Sequence, residues 1–262
     1  MEAVDPEVYG EAEQRERWVD ADLRRIAGDV EEGGGFEWKP HAVGRNRRDQ
    51  CFVHKAKGDP VWWIKVVGEV FADEAEVKDE VAKKTNTKEV DDDDEENEEN
   101  EDEVQPHPLL RNVDNLLDEG LHVRQHEWHQ LYVDGRIFER VDDQAELCYF
   151  QYASPIFFVS GRDTCYIKMR RDLDDGGFIL SYRSIRHDDC PPHKDYVRLE
   201  FEGAHMITPL KDRKGFTYTY IQHADAKGRL PKAMANGPQA DVMLKEIEGV
   251  RKAIRNPLLG RP

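Results

Sequence analysis

Apolar and polar positions alternate along this chain with two distinct periods. Val8, Ala12, Trp18, Val19, Leu23 and Ile26 recur at helical spacing, with Arg15 the polar residue on the stripe, so an amphipathic helix is predicted over 6–28. Asp5-Pro6-Glu7 supplies a start, with a capping side chain, a proline at the first helical position and an acidic first turn. Gly33-Gly34-Gly35 supplies a stop. Strands are predicted at 36–43, 47–56 and 61–71, the last reading VWWIKVVGEVF, rich in aromatic and β-branched residues. Two short helices follow at 108–119 and 121–130, separated by Gly120. Strand patterns then recur at 136–141, 145–152, 163–171, 177–184, 196–207 and 216–223. Asp134-Gly135 and Asp175-Gly176-Gly177 are turn chemistry, which favours antiparallel meanders. Asn236-Gly237-Pro238 introduces a last helix over 239–256, with Ala240, Met243, Leu244, Ile247, Val250 and Ile254 on one face and Asn256-Pro257 as its end. The order implies an α+β fold in one domain over 1–262, a single antiparallel sheet that curls and is closed by its terminal helix.

Charge alters this picture in one stretch. The 262 residues carry a formal charge of −17, which disfavours a general nucleic-acid binder or a polybasic membrane anchor. Between Asp73 and Glu103 stand 17 acidic residues against four lysines, a net of −13, so the rest of the chain is near neutral at −4. Residues 91–103, DDDDEENEENEDE, contain no apolar side chain. Such a segment cannot bury enough surface to offset the entropy of ordering, and 73–107 is expected to be a disordered acidic insertion within the domain. Cys51, Cys148, Cys165 and Cys190 form no CxxC pair, which suggests a reducing compartment. The charged N-terminal stretch has no apolar h-region and no segment approaches the length of a membrane span, so a cytoplasmic protein is expected.

Residues 155–237 read PIFFVSGRDTCYIKMRRDLDDGGFILSYRSIRHDDCPPHKDYVRLEFEGAHMITPLKDRKGFTYTYIQHADAKGRLPKAMANG. Arg162-Asp163 opens a strand, Ser184, Pro192 and Val197-Arg198 follow at intervals, and Asp225-Ala226-Lys227-Gly228-Arg229-Leu230-Pro231 precedes the last helix. In that order these features resemble the START domain, the lipid-transfer module related to the steroidogenic acute regulatory protein. Upstream, Ile64-Lys65-Val66-Val67-Gly68-Glu69-Val70 looks like the family's third strand and Trp128 like the tryptophan of its short-helix segment. The resemblance covers most of 36–255 and is laid out like the family's small single-domain members. It implies a helix-grip fold: about nine antiparallel strands around a long C-terminal helix, with a lipid-sized tunnel between them. It also implies a monomer that binds one lipid, touches membranes transiently, needs no cofactor and performs no covalent chemistry.

Energetics agree with an enclosed site for such a ligand. Exposing about thirty methylenes to water costs on the order of 25 kcal/mol at about 0.8 kcal/mol each, which only a nearly complete apolar enclosure offsets. Tunnel-wall candidates are Trp128, Tyr149, Tyr166, Tyr218, Tyr220, Met243, Leu244 and Ile247. Ile156, Phe157, Phe158 and Val159 form an apolar centre in a connection between strands, where polar residues are the rule, and are gate candidates that line the mouth or touch the bilayer. The alternative for this segment is a buried strand extension. For the head group, the resemblance places a phosphate-binding arginine at Gln125, with Arg124 one residue earlier and so turned by about 100° on a helix. It also places a cavity-facing basic residue at Lys168, whereas strand alternation with Tyr166 and Arg170 turns Lys168 to solvent. Arg183 completes the head-group candidates, and Arg162 and Asp163 are expected to form a structural ion pair.

Two competing signals remain. His122, His126 and His129 share a helical face at i, i+4 and i+7, a feasible transition-metal geometry and the basis for a metal-dependent alternative. His187, Cys190 and His193 form a second cluster in an inter-strand connection, more in keeping with a loop than a site. A further alternative is a START-derived scaffold that binds partners through its acidic loop. If that loop screens the domain from membranes, deleting 73–107 strengthens binding to anionic liposomes at low salt in a flotation assay, and an unchanged affinity removes that role.

Overall fold

The computed structural model describes residues 2–28, 36–71, 108–119, 121–211, 214–229 and 232–255. The acidic insertion, Gly33-Gly34-Gly35 and Asn256-Pro257 lie outside the described residues. Two N-terminal helices, α1 (Pro6–Tyr9) and α2 (Ala12–Ala27), precede strands β1 (Lys39–Val43), β2 (Gln50–His54) and β3 (Trp63–Phe71). Then come α3 (Pro108–Asp114), a π-helical turn (Asn115–Glu119) and α4 (Leu121–Trp128). Strands β4 (Tyr132–Asp142), β5 (Ala145–Tyr152), β6 (Arg162–Asp172), β7 (Phe178–Ser184), β8 (Val197–Arg198), β9 (Glu200–Pro209) and β10 (Gly215–Asp225) lead to α5 (Lys232–Ala253).

All the long strands form one antiparallel sheet in the order β1-β2-β3-β10-β9-β7-β6-β5-β4, and the two-residue β8 pairs parallel with β6. Sequence neighbours pair as meanders, but β3 pairs with β10, so the third and last strands meet mid-sheet. This pairing brings the chain's two halves together.

The sheet is covered on both faces. Along β7 every residue is buried: Phe178, Leu180 and Tyr182 face the cluster under α5, while Ile179 and the following Ile185 face the cluster under α2. The same alternation sends Cys165, Ile167 and Met169 of β6 towards α2 and Tyr166 towards α5. On the α5 side Met243, Ile247, Val250 and Ile254 pack with Leu116 and Leu117 of the π-helical turn and with Phe216 and Tyr218 of β10.

Both terminal helices depart from their predicted limits. The single helix over 6–28 is broken at Gly10-Glu11, where Glu11 is extended (φ −76°, ψ 117°). Arg15, the exception on the apolar stripe, is buried there and donates to the carbonyls of Tyr9 (3.0 Å) and Gly10 (2.9 Å) and to Asp142. Gly28, in the left-handed conformation at φ 81°, caps α2 by donating to the carbonyls of Arg24 and Arg25. At the other end α5 begins at Lys232 and runs through Pro238 instead of starting at 239. Asn236 does not cap it: its amide donates to Pro60 O (3.0 Å) and its oxygen accepts from Trp62 N–H (3.1 Å), tying the first turns to the β2–β3 connection.

The far end of α5 is held by a buried ion pair. Arg251 donates to both carboxylate oxygens of Asp49, at 2.6 Å to Oδ2, and to the carbonyl of Glu69. The guanidinium passes over Gly68, where a Cβ would lie 2.8 Å from Nη2 and nearer still to Asp49. Gly249 makes a second close approach, with a Cβ placed 2.1 Å from Trp128 O, so α5 and α4 cross almost backbone to backbone. Among the described residues no helix is long and apolar enough to cross a membrane.

On the α2 face, Arg183 donates to both oxygens of Asp22 at 2.9 Å, and Glu202 lies 3.5 Å from Arg183 and 3.7 Å from both Arg25 and His223. Burial alone would raise the Glu202 carboxyl. His223 and the two guanidinium groups outweigh it and hold the group at about 2.

Two measurements probe these anchors. Arg251→Met leaves Asp49 buried without its cation and lowers unfolding free energy by roughly 3–5 kcal/mol in urea titrations, whereas adding Asp49→Leu restores much of it. Because the folded Glu202 pKa is depressed, its contribution is complete above the unfolded carboxyl range and is lost as pH falls towards 2. Glu202→Gln therefore destabilises at pH 7 by on the order of 2 kcal/mol, discounted for partial exposure, and the difference from the parent chain fades towards pH 2.

Candidate functional site

A cavity of about 150 Å³ lies between the sheet and α5, next to α4 and the loop over 153–161. Its floor is built by strand alternation: Tyr152 of β5, Tyr166 of β6, Tyr182 of β7, Phe201 and His205 of β9, and Tyr220 and Gln222 of β10 all face it. In register, Tyr220 pairs with His205 across β10 and β9, and their rings lie 4.0 Å apart. Gln125, Trp128 and His129 of α4 form one wall, and Gln239, Val242 and Glu246 of α5 form the roof. Ala153, Pro155 and Arg162 frame the mouth.

The site is aromatic and hydrogen-bonding at once. His129 Nδ1 accepts from the Leu131 N–H (3.2 Å), which assigns the ring proton to Nε2, 3.0 Å from Glu246 Oε1. His205 is buried and shares a hydrogen bond with the Tyr218 hydroxyl at 3.1 Å. Burial first, then the neighbouring His129, pushes His205 down to about 3, so it is uncharged at neutral pH. The phenols of Tyr166, Tyr182 and Tyr220 are pushed well up by burial and stay protonated. Gln125 donates to the Tyr152 hydroxyl (3.1 Å) and Gln239 to Ala224 O (3.1 Å). Their oxygens, Gln125 Oε1 and Gln239 Oε1, and the Trp128 indole N–H are buried with no hydrogen-bond partner. Buried polar atoms in this state mark a place where a ligand's polar group has something to meet.

Of the expected tunnel-wall residues, the structure brings Trp128, Tyr166 and Tyr220 to the cavity. Tyr218 lies directly behind His205, and Met243 and Ile247 are in the packed core with Leu244 against it. Tyr149 faces the α2 side, 3.3 Å from Asp163. The α5 residues at the cavity, Gln239, Val242 and Glu246, stand one position off the predicted apolar stripe. Spacing did not reveal that flanking row, since the burial of Glu246 and of the Gln239 amide oxygen is set only by the fold. The row formed by Tyr152, Tyr182, Phe201 and His205 follows only from strand pairing.

The head-group candidates separate. Gln125 lines the cavity, but Arg124 is bound bidentately to Glu127 at 3.0 and 2.9 Å. Arg183 sits across the sheet with Asp22. Lys168 is not turned to solvent: it is buried and bonded to Asp118 and to Glu146 at 2.8 Å, because the π-helical turn carries Asp118 over that face. It lines a second, larger cavity of about 700 Å³ with Arg140, Arg170, Asp114 and Glu146. Those charges pair with one another, Arg170 with Asp114 and Asp118 and Arg140 with Glu146, so size alone misleads and the smaller aromatic cavity is the better ligand site.

Arg162 and Asp163 do not pair with each other. Asp163 pairs with Arg198 (2.9 Å), and Arg162 donates to the carbonyls of Ser160, Gly161, Ala226 and Lys227, joining the mouth loop to the chain before α5. The three helical histidines diverge: His129 enters the cavity, His126 is exposed and His122 lines the second cavity. Among the described residues no three His, Cys, Asp or Glu side chains are grouped to hold a metal ion. In the mouth loop Ile156 and Val159 are half-buried, whereas Phe157 and Phe158 are 83% and 95% exposed, which removes the buried-strand alternative for that segment.

Comparisons with known proteins fit this geometry. The START domain family model matches residues 45–257. Human StAR-related lipid transfer protein 5 superposes with a TM-score of 0.69 at 15% identity, over 94% of this chain and 96% of that one. Human STARD10 superposes at 0.64 and 17% identity, over 90% and 80% respectively. In sequence, an Arabidopsis thaliana protein named ENHANCED DISEASE RESISTANCE 2-like is 36% identical over 110 residues, which are 40% of this chain and 15% of that relative. The chain belongs to the START domain family.

Proposed function

We propose that the protein binds a single lipid in the cavity under α5 and carries or presents it without covalent chemistry. The observation that carries this reading is the cavity itself, a largely aromatic chamber between the sheet and α5 in a family whose structural relatives include a lipid transfer protein. Its polar groups suit orientation of a ligand, and no three of the described side chains are set to bind a metal.

Pockets for drug-sized ligands hold roughly 300–1,000 Å³, so a cavity of about 150 Å³ has to widen to take a whole lipid. The mouth loop is the element placed to move. At its tip the rings of Phe157 and Phe158 lie 4.0 Å apart, tilted by 48°, with almost their whole surface in water, and Phe158 adopts φ 63°, a conformation costly for a bulky side chain. Inserting both rings into a bilayer returns roughly 1.5–3 kcal/mol each, an affordable way to dock the mouth against the membrane. In this reading Ile156 and Val159 move with the tip, and Arg162 is the post on which the loop swings.

Native mass spectrometry of the purified chain after incubation with liposomes is expected to show one bound lipid per protein. Phe157→Asp with Phe158→Asp, a surface change with little cost to stability, lowers loading and liposome binding by about a hundredfold or more. Loading that survives the double substitution unchanged removes the docking role.

A further inference from the structure

Charge and hydrogen-bond supply inside the cavity narrow the ligand further, on the reading that the cavity binds a lipid. Among the described residues at its wall the acidic and basic side chains are Arg162 and Glu246, with His129 beside Glu246. Arg162 stands at the mouth with its guanidinium spread over four backbone carbonyls, so it offers an entering anion little. Glu246 is buried in the roof, and its imidazole neighbour cannot serve as a free cation, since His129 Nδ1 already accepts from Leu131 N–H and Nε2 faces the carboxyl. The other buried cations among the described residues are engaged elsewhere: Arg15 by Asp142, Arg124 by Glu127, Lys168 by Asp118 and Glu146, Arg183 by Asp22 and Arg251 by Asp49.

What the interior leaves unpartnered, among the described residues, is two amide oxygens and one indole N–H. Gln125 is nearly fully buried, its amide N–H₂ is turned to the Tyr152 hydroxyl, and its oxygen is left without a partner. Gln239 must turn its N–H₂ towards the Ala224 carbonyl, which leaves its oxygen in the same state. Among the described residues the unpartnered donor beside them is the Trp128 indole N–H, and the phenol hydroxyls of Tyr166, Tyr182 and Tyr220 can donate or accept. A hydroxyl is the small group that both donates to an amide oxygen and accepts from an indole N–H. A phosphate or carboxylate can only accept, would meet two amide oxygens and a carboxyl, and would lose its hydration with no cation to replace it.

We propose that the cavity selects an uncharged lipid alcohol, whose hydroxyl donates to the free oxygen of Gln125 or Gln239, and rejects lipids that would bring a phosphate or carboxylate inside. Sterols, diacylglycerols and ceramides share this chemistry. Selection then rests on the two unpartnered amide oxygens and, among the described residues, on the lack of an available cation at the cavity wall.

The test uses the full chain and phosphatidylcholine vesicles carrying equal mole fractions of a sterol, a diacylglycerol, a ceramide, phosphatidic acid and phosphatidylserine. After re-isolation, the bound lipid is weighed by native mass spectrometry. At least one of the three alcohols is expected to be retained about tenfold or more over either anionic lipid and over phosphatidylcholine. The methyl ether of the retained alcohol, which has no proton to donate, binds about tenfold more weakly, and Gln125→Leu with Gln239→Leu abolishes that difference between alcohol and ether. If the double variant does not fold by circular dichroism, the alcohol-against-ether comparison on the parent chain still decides. Preferential retention of an anionic lipid or of phosphatidylcholine, or equal binding of alcohol and ether, overturns the proposal while leaving lipid binding intact. Retention of no lipid of any class by folded protein overturns the lipid reading itself.

Discussion

The position of α5 across the sheet depends on the buried contact between Arg251 and Asp49. One guanidinium reaches two carboxylate oxygens and the Glu69 carbonyl, so a single side chain ties the last turns of the helix to β3 and to the β1–β2 hairpin. Asn236 performs the corresponding task at the first turns through Pro60 and Trp62. A helix held at both ends cannot rotate about its axis, and this sets which residues of its middle face the cavity. Gln239, Val242 and Glu246 are at the roof because Arg251 and Asn236 are fixed elsewhere. The close crossing at Gly249 and Trp128 then sets how near α4 comes, and with it the wall that carries Gln125 and His129.

The two faces of the sheet handle polarity in different ways. Under α2, charges are buried in matched groups, Arg183 and Arg25 against Asp22 and Glu202. Under α5, phenols, imidazoles and amides face an enclosed space, and several of their polar atoms lack a partner. Unpaired buried polar atoms are costly. Three of them, Gln125 Oε1, Gln239 Oε1 and the Trp128 N–H, lie together at the cavity next to the mouth loop, whereas Ser181 Oγ is unpartnered on the α2 face. The exposed Phe157 and Phe158 pair belongs to the same side of the molecule through the loop that begins at Ala153 and ends at Arg162.

Structural relatives at 15 and 17% identity share this architecture, because helix-on-sheet packing needs the pattern of apolar positions and the strand order more than particular side chains. The chamber lining is freer to vary. Arg162 illustrates the division: it opens β6 and joins the loop to the chain before α5 through backbone carbonyls, a structural task that any ligand leaves intact.

Much of the fold was legible in one dimension. Period-two runs located the long strands to within a few residues, since alternation is imposed by the pleat itself, and the apolar stripe of the last helix gave the face that packs. The motifs around Arg162-Asp163 and Asp225 to Pro231 gave the family. The break at Gly10 was not visible, because it is closed by Arg15 reaching back to carbonyls that only the folded turn presents. Lys168 was read as a solvent residue because hydropathy cannot see the carboxylates that the π-helical turn and β5 bring to it. The cavity was out of reach for the same reason: Tyr152, Tyr182, His205 and Glu246 are far apart in sequence and meet only when β9 is paired between β7 and β10 and α5 is locked in rotation. Sequence by itself determined which faces are apolar, since that is a local property of spacing. Tertiary structure decided which buried polar atoms go unpartnered, since pairing is a property of neighbours.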